Sequence, residues 1–263
     1  MCVSNINRLV IIILLYLVSL PVTAGQLMVL VHGYASNAVT WDMSGVTRVL
    51  AANGWRHVSM SGENQKRYYA VSLPAHAPLL LQSRLLQHQI AMLRAQFPED
   101  RLTLVGHSAG GVVARLSILS GNPLRVSRLV TIASPNMGTP RALQGIDIVE
   151  DAPFFCPGPG WRAVKSYFGG DTYRYLEDSR GALRDMLPTD FRNLTGWANL
   201  QPHPDIEYHA VVRQYGDVMV PAYSQDLNNV PMLRGKARVW LTHWGHYLDM
   251  RDAEVILEIV NGT

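Results

Sequence analysis

Residues 102–114, LTLVGHSAGGVVA, pass from an apolar, β-favouring run through Gly106-His107-Ser108-Ala109-Gly110 directly into a helix-compatible stretch. Val112, Val113, Leu116 and Leu119 continue at helical spacing, so the segment predicts a strand, a tight turn and a helix over Ala109 to Ser120. Glycines two residues either side of Ser108 let the chain turn sharply enough to push the serine off the strand's carboxyl end. Its Oγ is then exposed and the next backbone N–H is free. The five-residue pattern alone occurs in many glycine-rich chains; the strand before it and the helix after it make it informative. A serine hydroxyl is a weak nucleophile, so such a turn requires a base and an oxyanion-binding pair of donors from elsewhere in the chain.

The rest of the chain alternates strands with helices. Leu27–Val31, Tyr68–Leu73, Arg128–Ile132, Ile206–Val212 and Ala237–Leu241 read as strands, with His57–Met60 a further candidate. Trp41–Gly54, Leu79–Phe97 and Asp252–Val260 read as helices. This order predicts an α/β fold, a mostly parallel sheet with helices on both faces. With 263 residues and 48% hydrophobic content, the chain suits one domain with a substantial core. Pro140 to about Pro204 offers no strand and is too long for a plain loop. It carries Phe154, Phe155, Trp161, Tyr167 and Phe168, then a helix near Gly181–Leu187. An insertion after a strand's carboxyl end lies above the sheet, so residues about 141–205 are expected to form a cap that shapes a substrate pocket. The competing expectation is a structural side layer, since aromatic residues are ordinary core material.

The donors and the base follow from position. The N–H of Ala109 is fixed by the turn; the second donor is expected at the backbone N–H of Tyr34, in Val31-His32-Gly33-Tyr34 at the end of the first strand. A histidine after the last strand is expected as base. His246 is favoured over His243 because it follows Gly245 and lies farther past the strand. Asp217, in Gly216-Asp217-Val218, stands between the last two strands and is expected to orient that imidazole; Asp205 and Asp226 are expected to be solvated.

The first 24 residues differ in kind. A short polar lead with Arg8, an apolar run Leu9–Leu20 and the small residues of Pro21-Val22-Thr23-Ala24 predict an export signal cleaved after Ala24, with an uncleaved membrane anchor as the alternative. Cleavage removes Cys2 and leaves Cys156, so no intramolecular disulfide is expected. Asn193-Leu194-Thr195 and Asn261-Gly262-Thr263 fit the glycosylation pattern, relevant only in a eukaryotic secretory route. The formal charge of +3 comes without a basic block, so nucleic acid is not an expected partner, and nine histidines form no HExxH pattern that would point to a metal.

These motifs together resemble an α/β-hydrolase of the bacterial lipase and esterase kind, from about Gln26 to the C-terminus. VHGY resembles the oxyanion strand, GHSAGG the elbow, SPNMGTP at 134–140 the stretch after the following strand, GDVMVP the acid loop and GH at 245–246 the histidine loop. Because the mature chain would begin on the oxyanion strand, it is similar to minimal lipases that lack the first two strands of the full fold. The resemblance implies hydrolysis of carboxylic esters, often acylglycerols, without a cofactor. It implies a small ester or lipid as partner, with a lipid interface in reach and no obligate protein partner. A thioesterase, amidase or acyltransferase with the same triad, or an inert lipid-binding scaffold, are the competing expectations.

Overall fold

The computed structural model describes residues 24–60, 62, 65–150, 159–189 and 192–262. The leader reading for residues 1–23 therefore lies outside the described residues, as do Phe154, Phe155 and Cys156.

Seven strands form one sheet: β1 (Gln26–Val31), β2 (Arg56–His57), β3 (Lys66–Val71), β4 (Arg101–His107), β5 (Val126–Ile132), β6 (Glu207–Arg213) and β7 (Ala237–Thr242). Their order is β2-β3-β1-β4-β5-β6-β7, and every pairing is parallel. The expected strand at His57–Met60 is cut short. The His57 ring bonds both the Ser59 hydroxyl (2.7 Å) and the Ser59 N–H (3.3 Å), and Val58–Met60 coils into a 3-10 turn.

Alternation along each strand builds two cores. Leu27, Val29, Val31, Leu102 and Leu104 face α3 (Leu79–Gln96) and α4 (Ala109–Leu116), through Leu86, Ile90, Val112 and Val113. Met28, Leu30, Val105 and Val130 face the other way. They pack with Trp41 of α1 (Thr40–Met43), Val46 and Leu50 of α2 (Val46–Ala52) and Ile256 of α10 (Met250–Asn261). Residues 27–31 are all fully buried, each side chain contributing about 1.5–3 kcal/mol, which is why the sequence there is continuously apolar. The helical rhythm of Trp41–Gly54 is real but broken into α1 and α2 at Gly45, whose φ is +81°.

Among the described residues between Pro140 and Asn199 the chain forms four helices where the sequence indicated one. It forms α5 (Pro140–Glu150), α6 (Pro159–Asp178, kinked at Gly170), α7 (Arg180–Asp185) and α8 (Leu194–Asn199). Trp161, Tyr167 and Phe168 lie on α6. Prolines and glycines within these stretches mask their periodicity. The segment is pinned to the main body: Asp185 Oδ2 accepts the Leu79 N–H at 2.7 Å, at the start of α3, and the Thr139 N–H donates to the Met186 carbonyl at 2.8 Å. The fold closes with α9 (Ala222–Gln225) before β7 and with α10, which opens on a reciprocal capping box between Asp249 and Asp252.

The strand order reverses at β1. The chain leaves β1 towards β3, then crosses back to lay β4 on β1's other side. Loops after β1 and β4 thus diverge at their carboxyl ends, opening the crevice where ligands bind in open parallel sheets.

Candidate active site

Both loops at that crevice carry the residues singled out above. Ser108 ends β4 with φ +52° and ψ −129°, a strained region for a residue with a side chain, and its backbone N–H is tied to the Ile132 carbonyl at 2.8 Å. The flanking glycines are required by close approach. A Cβ on Gly106 would sit 2.4 Å from Gly111 Cα, and one on Gly110 would sit 2.3 Å from the His32 carbonyl oxygen. The turn therefore packs both on its own helix and on the end of β1.

Ser108 Oγ lies 3.0 Å from His246 Nε2, and His246 Nδ1 lies 2.8 Å from Asp217 Oδ2. A carboxylate can only accept, so the imidazole proton is on Nδ1 and the Nε2 lone pair faces the serine, whose hydroxyl donates to it. Asp217 also accepts the N–H groups of Met219 (2.8 Å) and Val220 (2.9 Å) and the Gln225 amide (3.0 Å). Burial would raise its carboxyl, but the His246 hydrogen bond, the imidazole charge and the two N–H groups outweigh that and hold it below its ordinary value. His243 stands apart: it is exposed and stacked on Tyr215 at 6.0 Å. Asp205 is exposed, whereas Asp226 caps the 3-10 turn Leu227–Asn229 by accepting the Asn228 N–H at 2.8 Å, so solvation is not its whole role.

Ala109 is the first residue of α4, so its N–H belongs to the unpaired set at a helix start, beside Ser108. Tyr34 follows Gly33, where a Cβ would lie 3.0 Å from Ser108 Cβ. Buried His32 holds this loop. The Leu73 N–H donates to His32 Nε2 at 3.0 Å, which places the ring proton on Nδ1 and directs it to the Gly33 carbonyl, also 3.0 Å away. Burial keeps His32 below its ordinary pKa and hence neutral.

Motif spacing misses several residues around this constellation. Gln225 braces Asp217 while its own oxygen accepts the Arg213 N–H at 2.7 Å. His107, beside Ser108, donates from Nε2 to the His246 carbonyl at 2.8 Å; burial, then the neighbouring His246 charge, lowers its pKa to about 3. Behind β6 and β7, buried Arg213 pairs with buried Asp252, which accepts the Trp244 indole N–H at 3.3 Å, two residues before His246. These contacts span from 8 to 139 residues, and only Gly-His-Ser in the elbow signals any of them.

A cavity of about 280 Å³ opens at Ser108 and His246. Its wall is mostly aliphatic, from Ala142 and Ile148 of α5, Leu176 of α6, Leu183 of α7, Met186 and Val220. Thr139, Arg141 and Gln144 supply its polar edge. Helices between Pro140 and Asn199 thus form one side of the cavity over Ser108.

A parallel sheet with a strained serine elbow at its reversal point and a helical insertion after the next strand defines an α/β hydrolase. The chain belongs to the alpha/beta hydrolase family, whose sequence model matches residues 28–259. Among solved structures it is similar to a mature Bacillus licheniformis lipase (TM-score 0.63, 12% identity, covering 94% of this chain and 95% of that one). It is also similar to a metagenomic carboxyl esterase (TM-score 0.57, 16% identity, 93% and 80%) and a Paleococcus ferrophilus monoacylglycerol lipase (TM-score 0.56, 12% identity, 91% and 96%). A Kluyveromyces lactis GPI inositol-deacylase is 34% identical over 97 residues, 35% of this chain; the match spans a tenth of that protein's length.

Proposed function

We propose that the protein is a serine hydrolase of carboxylic esters, of the lipase or carboxylesterase type. The observation that carries the reading is the Ser108–His246–Asp217 chain of hydrogen bonds at 3.0 and 2.8 Å, opening on an aliphatic cavity. His246 Nε2 takes the Ser108 proton as Oγ attacks the ester carbonyl, and the C–O π pair moves to an oxyanion held by the N–H groups of Tyr34 and Ala109. Collapse of the tetrahedral species breaks the bond to the leaving alcohol, which takes the proton from His246. Water then repeats the sequence on the acyl-serine and releases the acid, with Asp217 stabilising the imidazolium throughout.

The aliphatic wall favours an acyl chain over a polar substituent, each buried CH₂ contributing up to about 0.8 kcal/mol. Exposed apolar side chains near the mouth, Ile148, Val218, Met219 and Tyr247, suit contact with a lipid surface. The deacylase name of the partial relative is consistent with an ester on a lipid.

A panel of nitrophenyl esters of rising acyl length, assayed on wild type, Ser108→Ala, His246→Ala and His243→Ala, tests the reading. Turnover and fluorophosphonate labelling are expected in wild type, with loss in Ser108→Ala, near-complete loss in His246→Ala and retention in His243→Ala. Labelling that survives Ser108→Ala removes the nucleophile, and a dead His243→Ala beside an active His246→Ala reverses the base.

A further inference from the structure

The loop after β1 is gripped from the inserted segment as well as from below. Tyr34 Oη lies 2.5 Å from Ser179 Oγ, and the Ser179 hydroxyl donates to the Tyr175 carbonyl at 2.7 Å. A serine hydroxyl has one proton, so Tyr34 donates and Ser179 accepts. The Ala35 N–H donates to Tyr175 Oη at 3.1 Å, and the Tyr34 and Tyr175 rings meet edge to face at 5.4 Å. Ala35 holds φ +52°, the left-handed region that a side chain disfavours, so its conformation needs support from outside the loop. Ser179 is fully buried between α6 and α7, and α7 is fixed to α3 through Asp185. The grip therefore has a rigid backing.

We propose that Tyr175 and Ser179 are positioning residues for the oxyanion hole: by fixing the Tyr34 side chain and the Ala35 N–H, they aim the Tyr34 backbone N–H at the developing oxyanion. The inference rests on the ester-hydrolase reading above. It gives the inserted segment a role separate from its acyl-facing wall, although Leu176 of that wall lies on the same helical turn. Donors in such a hole act chiefly in the transition state, so a displaced donor lowers kcat with little change in KM.

The test compares wild type with Tyr175→Phe, which removes one hydroxyl and keeps the ring, and with Ser179→Ala. Steady-state kinetics on an acetyl and an octanoyl nitrophenyl ester are scaled to active sites counted by fluorophosphonate titration, so that an unfolded fraction does not enter. Binding of an alkyl boronic acid, whose tetrahedral adduct on Ser108 places an oxygen in the hole, is measured alongside. Complete loss of one such donor costs on the order of 10²- to 10³-fold in kcat. Misaiming it in Tyr175→Phe is expected to lower kcat about tenfold or more on both esters, with KM within about twofold and boronate affinity falling in step. Unchanged kcat per active site overturns the proposal. So does a loss confined to the octanoyl ester, which would assign these residues to the acyl wall. A wild type that neither labels at Ser108 nor turns over any ester refutes the hydrolase reading itself, and the positioning role with it. An active, labelled wild type beside unaffected variants refutes the positioning role alone.

Discussion

Replacing Asp252 by asparagine should cost far more than the loss of one hydrogen bond. Arg213 and Asp252 are both fully buried, and Arg213 Nη2 reaches each carboxylate oxygen at 2.8 Å while Nη1 donates to Thr242 Oγ1 at 2.8 Å. Burial pushes the Asp252 carboxyl above its ordinary range, against the pull of Arg213 and of the Asp249 and Trp244 N–H groups. The pair is thus near break-even with water, whereas Arg213 alone is a buried, uncompensated charge. Asp252→Asn should destabilise by about 3–5 kcal/mol. For a domain of this size that lowers Tm by roughly 6–20 °C. Removing both charges, in Arg213→Met with Asp252→Leu, should recover most of this, leaving about 1 kcal/mol for the lost capping-box acceptor at Asp252. Urea denaturation of wild type, both single variants and the double variant closes the cycle. An Asp252→Asn cost under about 1 kcal/mol, or a double variant as unstable as the sum of its singles, refutes the argument. An amide keeps one acceptor oxygen where the carboxylate has two, so either the Asp249 N–H or the Trp244 indole, two residues before His246, loses its acceptor, and ester turnover per folded molecule should fall as well.

Asp217→Asn should lower kcat by roughly 10⁴-fold, since an amide can stabilise the wrong imidazole tautomer; stopped ester hydrolysis checks it. The depressed Asp217 carboxyl favours the folded state above its unfolded value of 3.8, and that contribution disappears as pH falls through the lower native value; the stability gap to Asp217→Asn should shrink there. His107, lowered from 6.5 to about 3, is neutral when folded and charged when unfolded in between. Stability should therefore drop below pH 6.5 by up to about 1.4 kcal/mol per pH unit, and His107→Gln should flatten that slope in urea titrations. Ala142→Phe, in the cavity wall, should depress kcat/KM for octanoyl esters more than for acetyl esters, and an equal fall would detach the wall from acyl binding. Export with cleavage after Ala24 predicts a mature start at Gly25-Gln26-Leu27, which intact mass of the native protein decides.

What the sequence makes legible is what local sterics and chain order determine. The elbow can be read because Gly106 and Gly110 answer to contacts within a few residues and against the neighbouring strand end, where no side chain fits. Asp217 and His246 can be singled out because the fold delivers loops to the sheet's carboxyl edge in a set order. Of the inserted helices, α7 is legible in the sequence, but α5 and α6 are not: Pro159, Gly160 and Gly169-Gly170 interrupt the periodicity of α6, and Gly145 that of α5. Among the described residues the cavity wall is aliphatic, while Phe154 and Phe155 lie outside them.

The supporting residues follow a different rule. Gln225, His32, Arg213, Tyr175 and Ser179 each bond a partner selected by the tertiary fold, and no spacing within one element encodes such a pairing. Their distribution still has a logic. Ser108, the proposed nucleophile, sits on a strand-to-helix turn fixed by its neighbouring glycines and helix, whereas Asp217, His246 and Tyr34 sit on loops. Loops lack a ladder of their own, so each is fixed by polar side chains: Gln225 on the Asp217 loop, the buried Arg213–Asp252 pair behind the His246 loop, and buried His32 and Ser179 with half-buried Tyr175 on the Tyr34 loop. None of these braces is set by spacing within one element, which is why they must be found in three dimensions.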